Sequence, residues 1–135
     1  MTETTIAGNG YFEQIRARGK LRSPAHARKW CEAVLKTLAL NLDRRTKKEL
    51  ARALPPDLAK SFSRVFWLVH FRDSGLSSQE FLNMVSRRSG NTDTRFAIFP
   101  TTAVFGALKQ LIGPDLSDRV SQALAPEVRQ LWQQA

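Results

Sequence analysis

The sequence predicts an all-α fold, a single helical bundle built from two tandem four-helix units of about 70 residues each. Three observations carry that expectation. Apolar residues recur at helical spacing, and helix-start residues stand ahead of most of those stretches. Slid by 70 residues, the chain also pairs 11–65 with 81–135 without a gap. Strand signals are weak, with no long alternating runs and no Asn-Gly or Asp-Gly turns between apolar segments.

The self-match has eight identities in 55 positions, against about three expected from ordinary composition. Arg18, Ala27, Ala33, Val34, Leu38, Ala53, Leu54 and Pro56 meet Arg88, Ala97, Ala103, Val104, Leu108, Ala123, Leu124 and Pro126. Conservative pairs add to it: Tyr11 with Phe81, Ile15 with Val85, Leu35 with Phe105, Leu50 with Val120, and Leu58 with Val128. Matches on apolar positions are what a shared core would impose. The expected organisation is a flexible tail over 1–9 and one helical domain over 10–135, with repeats at about 11–70 and 81–135.

Each unit reads as four helices. The first spans Tyr11–Arg18 and Gln79–Arg88, and Ser77 three residues before Glu80 has capping-box spacing. The second opens on Ser23 and Pro24, because proline lacks only an N–H that would be unpaired there anyway. Cys31, Val34, Leu35, Leu38 and Leu42 line its apolar face. Its counterpart carries Val104, Phe105, Leu108, Leu111 and Ile112, and Pro100 predicts a kink or a late start near Thr101. Asp43 and Asp115 are expected to open the third helices, running to Leu54 and Leu124. Pro56–Asp57 and Pro126–Glu127 open the fourth, pairing a fixed φ with an acid at the positive end of the dipole.

These features resemble the bacterial domain of unknown function 2267 family. Phe81, Val85 and Arg88 carry the likeness, with Ala33-Val34-Leu35, Ala103-Val104-Phe105, Ala53-Leu54-Pro55-Pro56-Asp57-Leu58 and Ala123-Leu124-Ala125-Pro126-Glu127-Val128. It covers roughly residues 10 to 133, with Ala125 replacing the first proline of the pattern. The resemblance implies a helical tandem-repeat domain and brings no catalytic residues.

No uninterrupted apolar run approaches the roughly 20 residues of a membrane helix; the longest, Val65–Phe71, is broken by His70. The expected location is the cytoplasm, without membrane insertion. MTETTIAGNG lacks a signal-peptide pattern, and the one cysteine, Cys31, suits a reducing compartment. His26 and His70 each lack a second ligand at metal spacing, so a structural role is expected for both. Cys31 reads as a core thiol. No Gly-x-Ser-x-Gly elbow or P-loop is present. The expectation is a protein without catalysis, cofactor, metal or small-molecule substrate.

Net charge is +9, and it is uneven. Residues 1–70 hold 14 Lys+Arg against 6 Asp+Glu, whereas 71–135 hold 7 against 6. DRRTKKELAR, Asp43–Arg52, concentrates it: Arg44, Lys48 and Arg52 align at helical spacing with Arg45 beside them. Leu50, Ala53 and Leu54 are expected to face the core, with Lys47 at the boundary reaching out to water. Arg16, Arg18, Lys20 and Arg22 add four cations just upstream. The plain alternative is a solvated face that aids solubility. Against it, Arg44, Arg45, Lys47, Lys48 and Arg52 correspond to Pro114, Asp115, Ser117, Asp118 and Gln122. A shared fold does not need positive charge there.

A second candidate surface is Phe62–Phe71, with Phe66, Trp67 and Phe71 as apolar contacts if exposed. A segment apolar all round is ordinarily buried, here between the repeats. The expected function is a protein-interaction module, an adaptor or linker docking its basic first repeat onto an acidic protein or assembly. The alternative is sequence-nonspecific nucleic-acid binding through the same surface, although no RNP-type aromatic motif or Gly-rich RNA clamp is present.

Overall fold

Polar caps at Ser23, Asp43 and Ser77 set three of the helix starts that the sequence leads one to expect. The computed structural model describes residues 11–56, 58–60, 75–90 and 93–135, and these are all-α with no strand among them. They form α1 (Tyr11–Arg18), α2 (Pro24–Asn41), α3 (Arg44–Ala53), α4 (Ser78–Ser89), α5 (Thr94–Ala123) and α6 (Pro126–Gln134). Pro56 and 58–60 are helical as well. The connector Phe62–Phe71, with Phe66, Trp67, His70 and Phe71, lies outside the described residues, as does the tail over 1–9.

Ser23 caps α2 by accepting from the His26 N–H (3.2 Å), with Pro24 in the first turn. At α3 the Asp43 carboxylate accepts from the Thr46 N–H and from its hydroxyl (2.5 Å). Ser77 and Glu80 form the full capping box of α4, their reciprocal bonds measuring 3.1 and 2.9 Å. α1 ends on Lys20, a non-glycine residue at φ 59°, with the Leu21 N–H bonding the Arg16 carbonyl (2.9 Å). That is the left-handed closure in which glycine is usual. α4 ends the usual way, on Gly90 at φ 86°.

α5 corrects two expectations. It starts at Thr94, capped by Asp93, and not near Thr101. Backbone torsions stay helical through Pro100, which is buried against the end of α1. Gly19 permits that approach, since a Cβ there would stand 3.1 Å from the Pro100 Cα. The break falls instead at Gly113 (φ 80°, ψ 169°), dividing α5 into arms 94–112 and 114–123. Pro114 therefore begins the second arm, and Asp115 is inside it, not its cap. An 18-residue stretch of α5 has mean hydropathy 1.3, and by length and composition this helix could cross a membrane. Half of that stretch is buried inside the fold, as in a core helix. Counting uninterrupted apolar runs overlooks it.

The core joins residues from every helix. Ile15, Trp30, Cys31, Val34, Leu35, Leu38, Leu50, Phe81, Val85, Val104, Phe105, Leu108 and Val120 are fully buried. Phe105 sits between Phe81 (5.7 Å) and Trp132 (5.1 Å), and Trp30 meets Phe96 edge-on (5.8 Å). Polar ties close the bundle: Glu127 on α6 accepts from the Ser78 N–H and hydroxyl, and the Lys109 ammonium donates to the carbonyls of Trp132 and Ala135.

Candidate partner-binding surface

α3 is short and two-sided. Thr46, Lys47 and Leu50 turn inward, whereas Arg44, Arg45, Lys48 and Arg52 are exposed. Glu49 pairs with Arg119 (3.3 Å), fastening α3 to the second arm of α5. Asp43 is occupied in capping. The four exposed cations make no ion pair among the described residues. Like charges three and four apart repel by a few tenths of a kcal/mol per pair, so the sequence keeps them at a small cost in stability.

Lys47 does not reach water as the periodicity leads one to expect; it is 4% exposed. Burial and nearby Arg44 pull its pKa below the ordinary value of 10.5, partly opposed by Asp43. Lys47 thus leaves the candidate surface. Ala53 is exposed rather than core-facing, while Leu54 is buried as expected.

The four upstream cations do not join α3. They lie before the start of α2 and α3 follows its end, and an 18-residue helix is about 27 Å long. Arg16 donates from Nε to Glu13 (2.8 Å) on its own helix, which holds the Glu13 carboxyl below its usual range and raises the guanidinium. Arg18 is exposed near Gly106 and Ala135. Lys20 and Arg22 border a separate cleft. The nine cations therefore resolve into a four-charge face on α3, a pair beside the cleft, and scattered singles.

Residues 9–131 match the family described as an uncharacterized conserved protein, DUF2267. This chain belongs to the DUF2267 family. No curated protein matches it.

In this DUF2267 chain α3 thus presents four exposed cations, and its two acids are both engaged, Asp43 in the cap and Glu49 with Arg119. Among the described residues no three of His, Cys, Asp or Glu come together as a metal would require. Cys31 is buried in the core. His26 has a structural bond, its Nε2 accepting from the Trp30 indole (3.2 Å). Sequence reading missed that His26 and Lys29 join Lys20 and Arg22 around one cleft. The signal available was the 70-residue offset, which pairs Lys20 with Gly90 and His26 with Phe96.

Proposed function

We propose that the chain is a non-catalytic adaptor or linker of the cytoplasm, made of two copies of one helical unit, whose first copy docks through Arg44, Arg45, Lys48 and Arg52 onto an acidic protein or assembly. The duplication is supported by helix starts at Pro24 and Thr94, Arg44 and Pro114, and Pro56 and Pro126, each pair 70 residues apart. Burial supports it too. Ile15 and Val85, Ala27 and Ala97, Val34 and Val104, Leu35 and Phe105, Leu38 and Leu108, Leu50 and Val120, and Leu58 and Val128 are buried in both members.

One observation carries the docking reading: α3 exposes four cations without an ion pair among the described residues, where the offset positions are Pro114, Asp115, Asp118 and Gln122. A fold that tolerates acids at two of these positions has no structural need for bases at the others. Reversal of charge by Arg44→Glu with Lys48→Glu tests it. The variant is expected to keep its helical content and to lose an acidic protein that co-purifies with the parent. Undiminished capture contradicts the assignment. Nucleic acid is the competing occupant, and binding whose log affinity falls linearly with log salt would favour it.

A further inference from the structure

A second charged feature lies at the opposite end of α2 from α3. The α1–α2 turn and the start of α2 meet Ser89, Gly90, Asp93 and Phe96 around an open cleft of about 610 Å³, a volume in the range of small-molecule sites. Lys20, Arg22, His26 and Lys29 line one side of it. We propose that this cleft binds a small soluble ligand bearing a multiply charged phosphate group, gripped by Lys20, Arg22 and Lys29. The assignment is independent of docking through α3.

The charge balance comes first. Three cations border the cleft and none makes an ion pair among the described residues. Asp93, the acid in the lining, already caps α5 by accepting from the Arg95 N–H (3.1 Å), with the Arg95 guanidinium 3.7 Å away. A concave site of one sign concentrates counter-ions. A lone carboxylate would balance one cation of the three, whereas a phosphate or diphosphate carries two or more charges. Arg22 supplies a planar fork for two oxygens and the lysines supply point charges.

Backbone geometry is the second support. Lys20 occupies a left-handed position (φ 59°) that its offset partner Gly90 fills without strain (φ 86°). A side chain there brings Cβ too close to the following carbonyl oxygen, so the position is strained. The fold thus accepts strain to place a lysine at the rim, and the Lys20 ammonium is held 4.5 Å above the Phe99 ring. Across the cleft, a Cβ on Gly90 would stand 3.2 Å from the Lys29 Nζ. Gly90, needed there for the left-handed cap, thus places the Lys29 ammonium directly against the end of α4.

The third support is that core formation does not explain these residues. Lys20, His26 and Lys29 correspond to Gly90, Phe96 and Phe99. His26 is already under the field of the cluster: burial, then Arg22 and Lys29, pull its pKa below the ordinary 6.5. A bound anion would relax that depression.

Calorimetric titration of the full chain with pyrophosphate tests the assignment, with acetate at matched ionic strength as control. Expected are one saturable site for pyrophosphate, none for acetate, and a loss of about tenfold in affinity for Lys20→Gly and for Lys29→Gln. Lys20→Gly also separates binding from folding, because relief of the left-handed strain should keep its melting temperature at or above the parent's. Arg44→Glu with Lys48→Glu should bind pyrophosphate as the parent does. Absence of saturable binding, equal response to acetate, full affinity in Lys20→Gly, or equal weakening by the α3 variant would each overturn the proposal.

Discussion

Gly113→Ala separates two descriptions of α5 by the sign of its effect. At φ 80° and ψ 169°, Gly113 occupies a region that is essentially glycine-only. No atom lies within 4 Å of a Cβ built there, so the substitution meets no steric obstacle and backbone strain is isolated. That strain is about 1–3 kcal/mol. Alanine recovers roughly 0.4–1 kcal/mol by restricting the unfolded chain. The net expectation is a loss of about 1–2 kcal/mol, lowering the melting temperature by roughly 3–8 °C for a chain of this size. Relaxation toward the torsions of Asp43 (φ −70°, ψ 164°) would swing the two arms of α5 apart. Leu108, Leu116 and Val120 oppose this, being buried on both sides of the break. In an unbroken helix the same change would stabilise by about 0.8–1 kcal/mol. Thermal unfolding followed by circular dichroism decides, and a raised melting temperature would refute two arms joined at a glycine.

Further outcomes follow from the same geometry. The Thr101 hydroxyl is buried and has no hydrogen-bond partner among the described residues, and its offset position holds Cys31 in the core; Thr101→Val should stabilise by about 1 kcal/mol in denaturant titration. The folded-state pKa of His26 lies below 6.5, so the unfolded chain takes up that proton first. This contribution to stability is whole above pH about 6.5 and declines as pH falls through 6.5 toward the folded value, when protonation of Nε2 also ends its bond from Trp30. Melting temperatures at pH 7.5 and 5.5 should differ less in His26→Gln than in the parent, and an equal difference would remove His26 as the cause. Lys47 is buried, so Lys47→Met should leave partner capture intact where Lys48→Glu diminishes it.

Much of the scaffold is legible in sequence because its determinants are local. Ser23 with Pro24, Asp43, and Ser77 with Glu80 announce helix starts within a few residues, and the structure uses each of them. The apolar stripe from Cys31 to Leu42 fixes the inner face of α2 without knowledge of what covers it. Pro100 misleads because it packs against Gly19, in the turn after α1, far away in sequence. The opening at Asp115 is misplaced because Gly113 and Pro114 already turn the chain: proline disfavours helical torsions in the residue before it, and glycine accepts the alternative.

Candidate sites are less legible. The α3 face emerges from periodicity alone, except for Lys47, which lies on the same side as Leu50 and follows it into the interior. The cleft requires residues 20–29 to meet Ser89, Gly90, Asp93 and Phe96. Long-range placement of that kind leaves no local pattern, so nothing in the sequence singles out Lys29.

The docking reading is tested most directly by a photo-activated cross-linking residue placed in turn at Lys48 and at its offset position Asp118, followed by irradiation in the native cell. The account predicts a covalent adduct to one acidic protein from position 48 and none from position 118. Adducts that are equal at both positions, or found at 118 alone, would contradict it.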